Sequence, residues 1–345
     1  MTSPADPDTT VDEADLFGLV RRLVDVPSVT GDEGPVGRLL VEELEARGFA
    51  PHTQTVEDGR RNVQVTDDGT RVVLCTHMDT VAPFIPSRED DAAIHGRGSC
   101  DAKGILATMI VAAQRLRARG RTDVGLLFLV GEETDSAGAR AANGVAPSNE
   151  FLIVGEPTDG MLASGHKGML AFEVEVAGRA AHSAYPHLGD SALHRLLDLL
   201  ARVRAAPWGS DAVLGAATVN VGRIEGGVAM NVVAPSARAT VAIRLVGPAA
   251  EARARLEELV AGDPALRVRI VSASDAVHCH TAEGFPTQPV AFGSDLFHLG
   301  RWGRPLLVGP GSIHVAHTDG EHVLKRDLVQ AVSTYERLVE RLVQA

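Results

Sequence analysis

Apolar side chains recur at three- and four-residue intervals in the first part of the chain, as they do in amphipathic helices. This spacing predicts helices over residues 15–24 and 36–48, the second of which ends at an Arg-Gly stop signal. Short apolar runs that end abruptly in polar residues follow, separated by helical stretches such as residues 105–119. The runs lie at residues 72–75, 126–130, 151–154 and 306–308. Such runs are typical of buried parallel strands joined by crossover helices, so the pattern predicts an α/β sheet.

Longer strands with alternating polar and apolar residues occupy the middle of the chain and predict a second domain. They lie at residues 169–176, 217–225, 237–245 and 266–271, with helices at residues 191–205 and 248–262. The order β-α-β-β-α-β is that of a ferredoxin-like domain. We therefore predict that residues 167–274 form a second domain, inserted into a first domain formed by residues 13–166 and 275–345. Residues 1–12 are rich in Pro, Asp and Thr, and we predict that they form a disordered tail.

The composition narrows the possible classes of protein. Of 345 residues, 45% are hydrophobic and 23% are charged, which is too apolar for a disordered chain. The net charge of −12 and the lack of a basic stripe argue against nucleic acid or an anionic membrane as a partner. No apolar run reaches the roughly 18 to 20 residues of a membrane span, and residues 1–16 do not resemble a signal peptide. We therefore expect a cytoplasmic protein whose scattered cysteines, Cys75, Cys100 and Cys279, stay reduced.

Carboxylate and imidazole side chains follow the predicted strands at the points where the strands end. They are His77 and Asp79 after the first run, Glu132 and Glu133 after the second, Glu156 after the third, His317 after the fourth, and Asp101 ahead of the helix near residue 105. Because ligands bind beyond the carboxyl ends of strands in an open α/β sheet, we expect these side chains to converge at one edge. Such a cluster of carboxylates repels itself unless cations neutralise it. Two histidines and three carboxylates, one of them shared, suit a two-zinc site, so the sequence predicts a dinuclear hydrolase.

Two local spacings indicate how the work is divided within this cluster. Side chains two positions apart in an extended segment point to the same face, so Asp79 can brace the imidazole of His77. Adjacent Glu132 and Glu133 point in different directions, so one can bind a metal while the other stays free as a base.

Five segments of this chain, THMDTV, HGRGSCDAKG, GEETDSAG, VGEPT and VAHTDGEH, occur in an order and spacing that resembles the M20 metallopeptidase family. That family includes acetylornithine deacetylase, succinyl-diaminopimelate desuccinylase and carboxypeptidase-type enzymes. The resemblance covers nearly the whole chain after the tail. It implies a zinc-peptidase-like catalytic domain with a mixed, mainly parallel sheet, and two Zn²⁺ ions per subunit for which Co²⁺ can substitute.

The resemblance also implies a role for each residue of the cluster. His77 and Glu156 would complete one zinc site, Glu133 and His317 the other, and Asp101 would bridge both, with Asp79 as an orienting acid and Glu132 as the general base. One departure is Thr76, where many members carry glycine before the motif histidine. The ligand assignment does not depend on that position.

The resemblance further implies that residues 167–274 are a lid and dimerisation domain and that residues 13–166 and 275–345 are the catalytic domain. Residues of the lid and of two later loops resemble family positions that contact substrate. His182, in GRAAHSAYP, resembles a lid histidine that reaches the active site of the partner subunit in dimeric members and helps hold the carbonyl oxygen. The other candidates for substrate contact are Arg244, Asn231, Gly293, Ser294 and Gly311. The resemblance therefore predicts a homodimer formed through the lid.

The predicted reaction is hydrolysis of the amide bond of an N-acylated amino acid. Glu132 would take a proton from the metal-activated water and return it to the leaving amine. An acetylornithine-like substrate of amino-acid biosynthesis ranks first. A hydrolase that frees lysine or ornithine from an acidic carrier protein, or a succinyl-diaminopimelate desuccinylase, is the alternative, and the net negative charge argues against the carrier. A dipeptidase or carboxypeptidase ranks third, and a catalytically silent binding protein of the same fold is the alternative from another class.

Overall fold

The computed structural model describes residues 11–57 and 59–344, in which helices and short strands alternate along the chain. The helices are α1 Glu13–Val24, α2 Gly34–Ala46, α3 Lys103–Ala118, α4 Ala137–Asn143, α5 Ala192–Ala205, α6 Ala249–Val260 and α7 Lys325–Val343. The strands of the first half are β1 His52–Glu57, β2 Arg60–Val65, β3 Val72–His77, β4 Arg88–Glu89, β5 Ala93–His95, β6 Val124–Leu129, β7 Phe151–Val154, β8 Leu162–His166 and β9 Gly168–Ala177. Those of the second half are β10 Ser210–Asp211, β11 Gly215–Ala216, β12 Thr218–Gly226, β13 Ser236–Leu245, β14 Leu266–Ser274, β15 Val277–His278, β16 Thr287–Val290, β17 Arg304–Leu307 and β18 His322–Leu324.

The predicted tail falls largely outside the described residues, which begin at Val11. Asp12 caps α1, because its carboxylate accepts the backbone N–H of Asp15 at 3.1 Å. Asp12, the last residue of the predicted tail, is therefore part of the fold.

The described residues divide into two compact units. The first holds the described residues up to Ser164, Cys279–Gln288, and those from Ser294 onward. The second holds Gly165–His278 and Pro289–Gly293, where the sequence pattern predicts a lid over residues 167–274.

A six-stranded sheet in the order β1-β2-β6-β3-β7-β17 forms the centre of the first unit. Strand β3 pairs in parallel with β6 and β7, β7 pairs in parallel with β17, and β1 and β2 extend the sheet in antiparallel fashion. Every residue of β3 is buried, because α1, α3 and α7 pack with the apolar strands in one core. The predicted mixed, mainly parallel α/β sheet is confirmed. Parallel pairing brings the carboxyl ends of β6, β3, β7 and β17 to the same edge of this sheet.

The second unit is a four-stranded antiparallel sheet covered by two helices. Its order along the chain is β9-α5-β12-β13-α6-β14, and its order in the sheet is β12-β13-β9-β14, which confirms the ferredoxin-like prediction. Alternate residues of β9, from Leu170 to Val176, are buried in a core shared with α5 and α6. None of the helices in the described part of the chain is both long and apolar enough to cross a membrane.

Candidate dinuclear metal centre

The side chains predicted to bind metals lie where parallel strands of the central sheet end. His77 is the last residue of β3, Glu132 and Glu133 follow β6 within four residues, and Glu156 follows β7 within two. These strands are neighbours in the sheet, so their ends bring the side chains together.

Asp101 lies between two histidines and presents a different carboxylate oxygen to each of them. Its Oδ1 lies 3.0 Å from Nε2 of His77, and its Oδ2 lies 3.4 Å from Nε2 of His317. The carboxylate of Glu133 lies 3.0 Å from the same Nε2 of His317. The two histidines therefore face opposite oxygens of one carboxylate, which is the geometry that a bridging ligand needs.

Two groups of three ligand side chains share this aspartate. The first triad is His77, Asp101 and Glu156, and the second triad is Asp101, Glu133 and His317. Within each triad the ligand atoms lie within 4.8 Å of one another. One histidine and two carboxylates per triad is a donor set that zinc accepts, with room for water or substrate as a further ligand. The residues present therefore fit a pair of divalent cations.

The charges of the metal-free cluster indicate the same need for cations. Burial raises the pKa of Glu156 well above its usual value, and the charges of Glu132 and Asp101 raise it further. Hydrogen bonds that the imidazole of His317 donates to the carboxylates of Asp101 and Glu133 raise its pKa to about 10. A protonated imidazole thus stands among the carboxylates where a metal ion would supply positive charge.

Asp79 is buried beside the first triad and connects two strand ends. Its carboxylate accepts the backbone N–H groups of Glu132 at 3.1 Å and Glu133 at 3.2 Å, and the hydroxyl of Thr30 at 2.7 Å. Nδ1 of His77 lies 3.0 Å from the main-chain carbonyl oxygen of Asp79 and 3.4 Å from its carboxylate. The imidazole is thus oriented mainly by the carbonyl group, and the carboxylate chiefly holds the segment that carries the two glutamates.

Glu132 belongs to neither triad, although its neighbour Glu133 does. Glu132 is half-buried, and burial raises its pKa well above the usual value, with the charges of Asp295 and Glu133 adding to the shift. A carboxylate with a raised pKa beside a metal pair is suited to receive a proton from water.

Three residues near the cluster escaped the sequence analysis. Thr30 donates its hydroxyl group to Asp79, Glu321 accepts the backbone N–H of Asp101 at 3.1 Å, and Asp295 is only 2% exposed. Burial raises the pKa of Asp295 to about 7. Glu321 stands inside the motif VAHTDGEH and Asp295 directly follows Ser294, but nothing in their local pattern distinguishes them from surface acids.

The remaining candidates lie in both units. Ser294 caps a short 3-10 helix, Asp295–His298, and Gly311 has φ of 80° with its backbone close to Cys100. A Cβ atom at position 311 would lie 2.5 Å from the sulfur of Cys100, so glycine is required for packing there. Gly293 lies in the second unit. Their predicted contacts with substrate remain predictions.

His182, Asn231 and Arg244 all lie in the second unit. Nδ1 of the exposed His182 accepts the backbone N–H of Ala184 at 3.1 Å, so its neutral ring carries the proton on Nε2. The carbonyl of the exposed Asn231 accepts the backbone N–H of Ser183. Half-buried Arg244 lies on β13 and forms no ion pair with the described carboxylates. Their roles remain predictions.

A mixed α/β sheet that presents two triads with one shared carboxylate, beside a free glutamate, defines a dinuclear metallohydrolase. Residues 164–262 match the family described as a peptidase dimerisation domain. A peptidase M20 domain-containing protein of Schizosaccharomyces pombe is 36% identical over 94% of this chain and 84% of its own length. A protein of Aspergillus oryzae named "probable carboxypeptidase" is 38% identical over 94% of this chain and 86% of its own length. The chain belongs to the M20 peptidase family and is a hydrolase of amide bonds.

Solved structures support the fold across nearly the whole chain. A tripeptidase of Staphylococcus aureus aligns with a TM-score of 0.82 at 20% identity, over 97% of this chain and all of its own. A dinuclear metal-binding M20 peptidase of Bacillus subtilis aligns with a TM-score of 0.72 at 16% identity, over 94% of this chain and 96% of its own. The predicted acetylornithine deacetylase or desuccinylase branch is not specifically supported by these comparisons.

Proposed function

We propose that this enzyme uses two divalent metal ions to hydrolyse an amide whose nitrogen belongs to an amino acid with a free α-carboxylate. The observation that carries this proposal is the shared Asp101, which presents one oxygen to His77 and the other to His317. Zinc is the metal that this nitrogen and oxygen donor set favours. When bound, the metals act as Lewis acids on the scissile carbonyl and acidify the attacking water.

The side chains of the cluster have separate tasks in this proposal. Glu132 takes the proton of the attacking water and returns it to the amine that leaves. Asp79 holds the backbone of Glu132 and Glu133, so that the base and a ligand keep their relative position. His182, with its proton on Nε2, would donate to the carbonyl oxygen as negative charge develops there.

Arg244 is proposed to bind the α-carboxylate. Burial lowers the pKa of this guanidinium, which identifies a cation without enough compensating charge nearby. A substrate carboxylate would supply that charge through charge-assisted hydrogen bonds. N-acyl amino acid deacylases and carboxypeptidases both cleave the bond next to such a group. The carboxypeptidase name of the Aspergillus oryzae relative favours a peptidyl over an acetyl group, which reverses the ranking drawn from the sequence.

An acidic carrier protein gains no support as the acyl donor. The open face of the four-stranded sheet carries a row of alternating charges, Glu225, Arg238, Glu175 and Arg267, on neighbouring strands. Such a row neutralises itself and provides no basic docking surface there.

A homodimer through the second unit is also part of the proposal. Strand β12 lies at an edge of its sheet, and Ile224, Val228 and Met230 on or beside it are 46%, 68% and 100% exposed. An unpaired edge with exposed apolar side chains is covered when a second copy pairs with it. The match to a peptidase dimerisation domain supports this arrangement.

A substrate panel tests the proposed reaction. N-acetylornithine, N-succinyl-diaminopimelate, N-acetylcitrulline and simple dipeptides are assayed with added Zn²⁺ or Co²⁺, each as the free acid and as the α-carboxamide. We expect metal-dependent hydrolysis of the acids, with dipeptides fastest. If none of the free acids is hydrolysed in a metal-dependent way, the proposal is contradicted. A protein that binds metal but hydrolyses none of these substrates would favour the alternative of a catalytically silent binding protein.

The same panel with Arg244→Lys tests the carboxylate contact. A lysine cannot reproduce the guanidinium fork, so kcat/KM on acids should fall about 10- to 100-fold, with little change on carboxamides. Arg238→Lys is the matched control, because Arg238 lies on the same strand and pairs with Glu225 on the open face. Equal losses on acids and carboxamides would remove Arg244 from this role.

A further inference from the structure

A buried ion pair joins the loop that carries Asp101 to the loop that carries His317, two of the three segments that supply the second triad. Nη1 of Arg97 lies 2.6 Å from Oε2 of Glu321, and the side chains are only 2% and 1% exposed. Neither residue belongs to a triad, and Glu132 rather than Glu321 is suited to act as the base. A buried ion pair is costly to desolvate, and replacing it with apolar residues often does not reduce stability. Stability alone therefore gives no reason for its position.

The second carboxylate oxygen of Glu321 holds the backbone of the Asp101 loop. Oε1 accepts the N–H groups of Gly98 at 2.8 Å, Cys100 at 3.2 Å and Asp101 at 3.1 Å. These three donors belong to the segment that ends in the shared aspartate. Glu321 therefore determines where the backbone of Asp101 lies.

Arg97 connects the same pair to the loop that carries His317. Its Nη1 also donates to the carbonyl oxygen of Thr318 at 3.1 Å, and Nε donates to the carbonyl of Pro83 at 3.3 Å. Thr318 is the residue next to His317 in the chain. One ion pair thus contacts the backbone on both sides of the gap between Asp101 and His317, whose ligand atoms are 3.4 Å apart.

We propose that Arg97 and Glu321 are positioning residues that set the separation of Asp101 and His317 and thereby form the second metal subsite. The first triad depends on them less, because His77 and Glu156 lie at the ends of paired central strands. His317 lies on a loop with φ of 63° and has no strand to hold it. The inference rests on the proposed dinuclear function and deepens it.

The two loops are also joined by contacts that do not involve these two side chains. The backbone N–H of Gly96 donates to the carbonyl oxygen of Glu321 at 3.1 Å, and β5 pairs with β18 through His322 opposite His95. Both contacts are made by the main chain. Variants at positions 97 and 321 should therefore fold.

Stepwise Co²⁺ binding to the metal-free protein tests the proposal. Two affinities per chain are measured from the d–d absorption bands and by competition with a chelator, in wild type, Glu321→Gln and Arg97→Lys. Glutamine has one neutral amide oxygen where Glu321 has two anionic carboxylate oxygens. It therefore cannot accept hydrogen bonds both from Arg97 and from all three backbone N–H groups, as Glu321 does. We expect the weaker-bound Co²⁺ of both variants to lose about 10- to 100-fold in affinity, as is typical for residues that orient ligands, with the tighter site nearly unchanged.

Two further measurements separate positioning from general stability. Hydrogen exchange of the metal-free Glu321→Gln protein should show lost protection at residues 98–101, and excess Co²⁺ should restore kcat without a change in KM. Glu336→Gln is the matched control, since Glu336 forms a largely buried ion pair with Arg115 at 2.7 Å between α7 and α3 and neither residue belongs to a triad. It should leave both Co²⁺ affinities unchanged.

The outcomes distinguish this inference from the proposed function. If Glu321→Gln and Arg97→Lys both bind each of the two Co²⁺ ions as tightly as wild type does, this inference is overturned and the proposed function is not affected. Equal weakening of both sites, or the same pattern in Glu336→Gln, would also overturn it, because a general structural defect would then explain the loss. A wild-type protein that binds one Co²⁺ or none would overturn the proposed dinuclear function and this inference with it.

Discussion

The carboxylate of Asp79 accepts the backbone N–H of Glu132 at 3.1 Å, although 52 residues separate the two in the chain. Asp79 follows β3 and Glu132 follows β6, so this bond joins the ends of two neighbouring parallel strands. The same carboxylate also accepts the next N–H, that of Glu133. A residue expected to orient one histidine therefore also holds the base and a ligand in place.

Asp79→Asn is expected to reduce kcat about 10- to 100-fold while the metals stay bound. The neutral amide has only one acceptor oxygen and cannot accept from both glutamate N–H groups and from Thr30 as the carboxylate does. Steady-state kinetics with metal analysis measures this effect. Thr30→Val removes one hydrogen bond of the set, worth about 1 kcal/mol, and should cost roughly fivefold. Equal effects of the two substitutions would contradict the central position of Asp79.

Glu132→Gln is expected to abolish turnover and to leave metal content near that of wild type. General-base assistance is typically worth about 10² to 10⁴ in rate, and Glu132 is in neither triad. Metal analysis of the purified variant, beside single-turnover kinetics, checks both parts. His77→Ala and His317→Ala are the counterparts, and each should lower metal content. Loss of metal from Glu132→Gln would make Glu132 a ligand instead.

Metal binding to the metal-free protein should release protons, and the affinity should rise with pH. Hydrogen bonds with Asp101 and Glu133 raise the pKa of His317 to about 10, so its imidazole is protonated at neutral pH and must lose that proton to bind a metal. Calorimetry in buffers of different ionisation enthalpy counts the released protons. His317→Ala should release about one proton fewer per chain at pH 8. An unchanged proton count in that variant would contradict the assignment.

Asp295→Asn should stabilise the metal-free protein increasingly as the pH rises from about 4 to 7. Burial raises the pKa of Asp295 to about 7, so folding favours the protonated acid. The stability that this acid contributes is present below its unfolded-state pKa and is lost as the pH rises through 7. Each unit of pKa difference corresponds to about 1.4 kcal/mol, and the amide variant has no such loss. Urea unfolding across this pH range measures the difference, and a constant difference would refute the prediction.

Mixing His182→Ala with Glu132→Ala should restore activity if His182 acts in the partner's active site. One site of each heterodimer then contains both groups, so about half of the heterodimer's sites recover. His182 as an oxyanion donor would be worth about 10² to 10³ in rate, so the restored activity is easily measured above either variant. Subunit exchange is verified with a labelled copy. A monomer by light scattering, or an inactive mixture despite proven exchange, would exclude action in trans.

The sequence by itself determined the α/β class, the ferredoxin-like insertion and the identity of the clustered residues. Apolar runs such as residues 72–75 and 151–154 are buried as the pattern predicts, because a strand covered on both faces must be apolar throughout. The polar residue that follows each run is where the chain leaves the core. Strand β1 escaped prediction, because His52–Glu57 is mostly polar and lies exposed at the edge of the sheet.

Only the tertiary structure decided which atoms of the clustered residues meet. That Asp101 presents one oxygen to His77 and the other to His317 depends on how two loops pack, and no local periodicity encodes that packing. For the same reason, the sequence could not predict that Asp295 is buried or that three backbone N–H groups surround Glu321. An acidic residue on a loop has the same kind of local sequence whether its side chain faces water or the protein interior. Its partners come from segments distant in the chain, and only the packed fold brings those segments together.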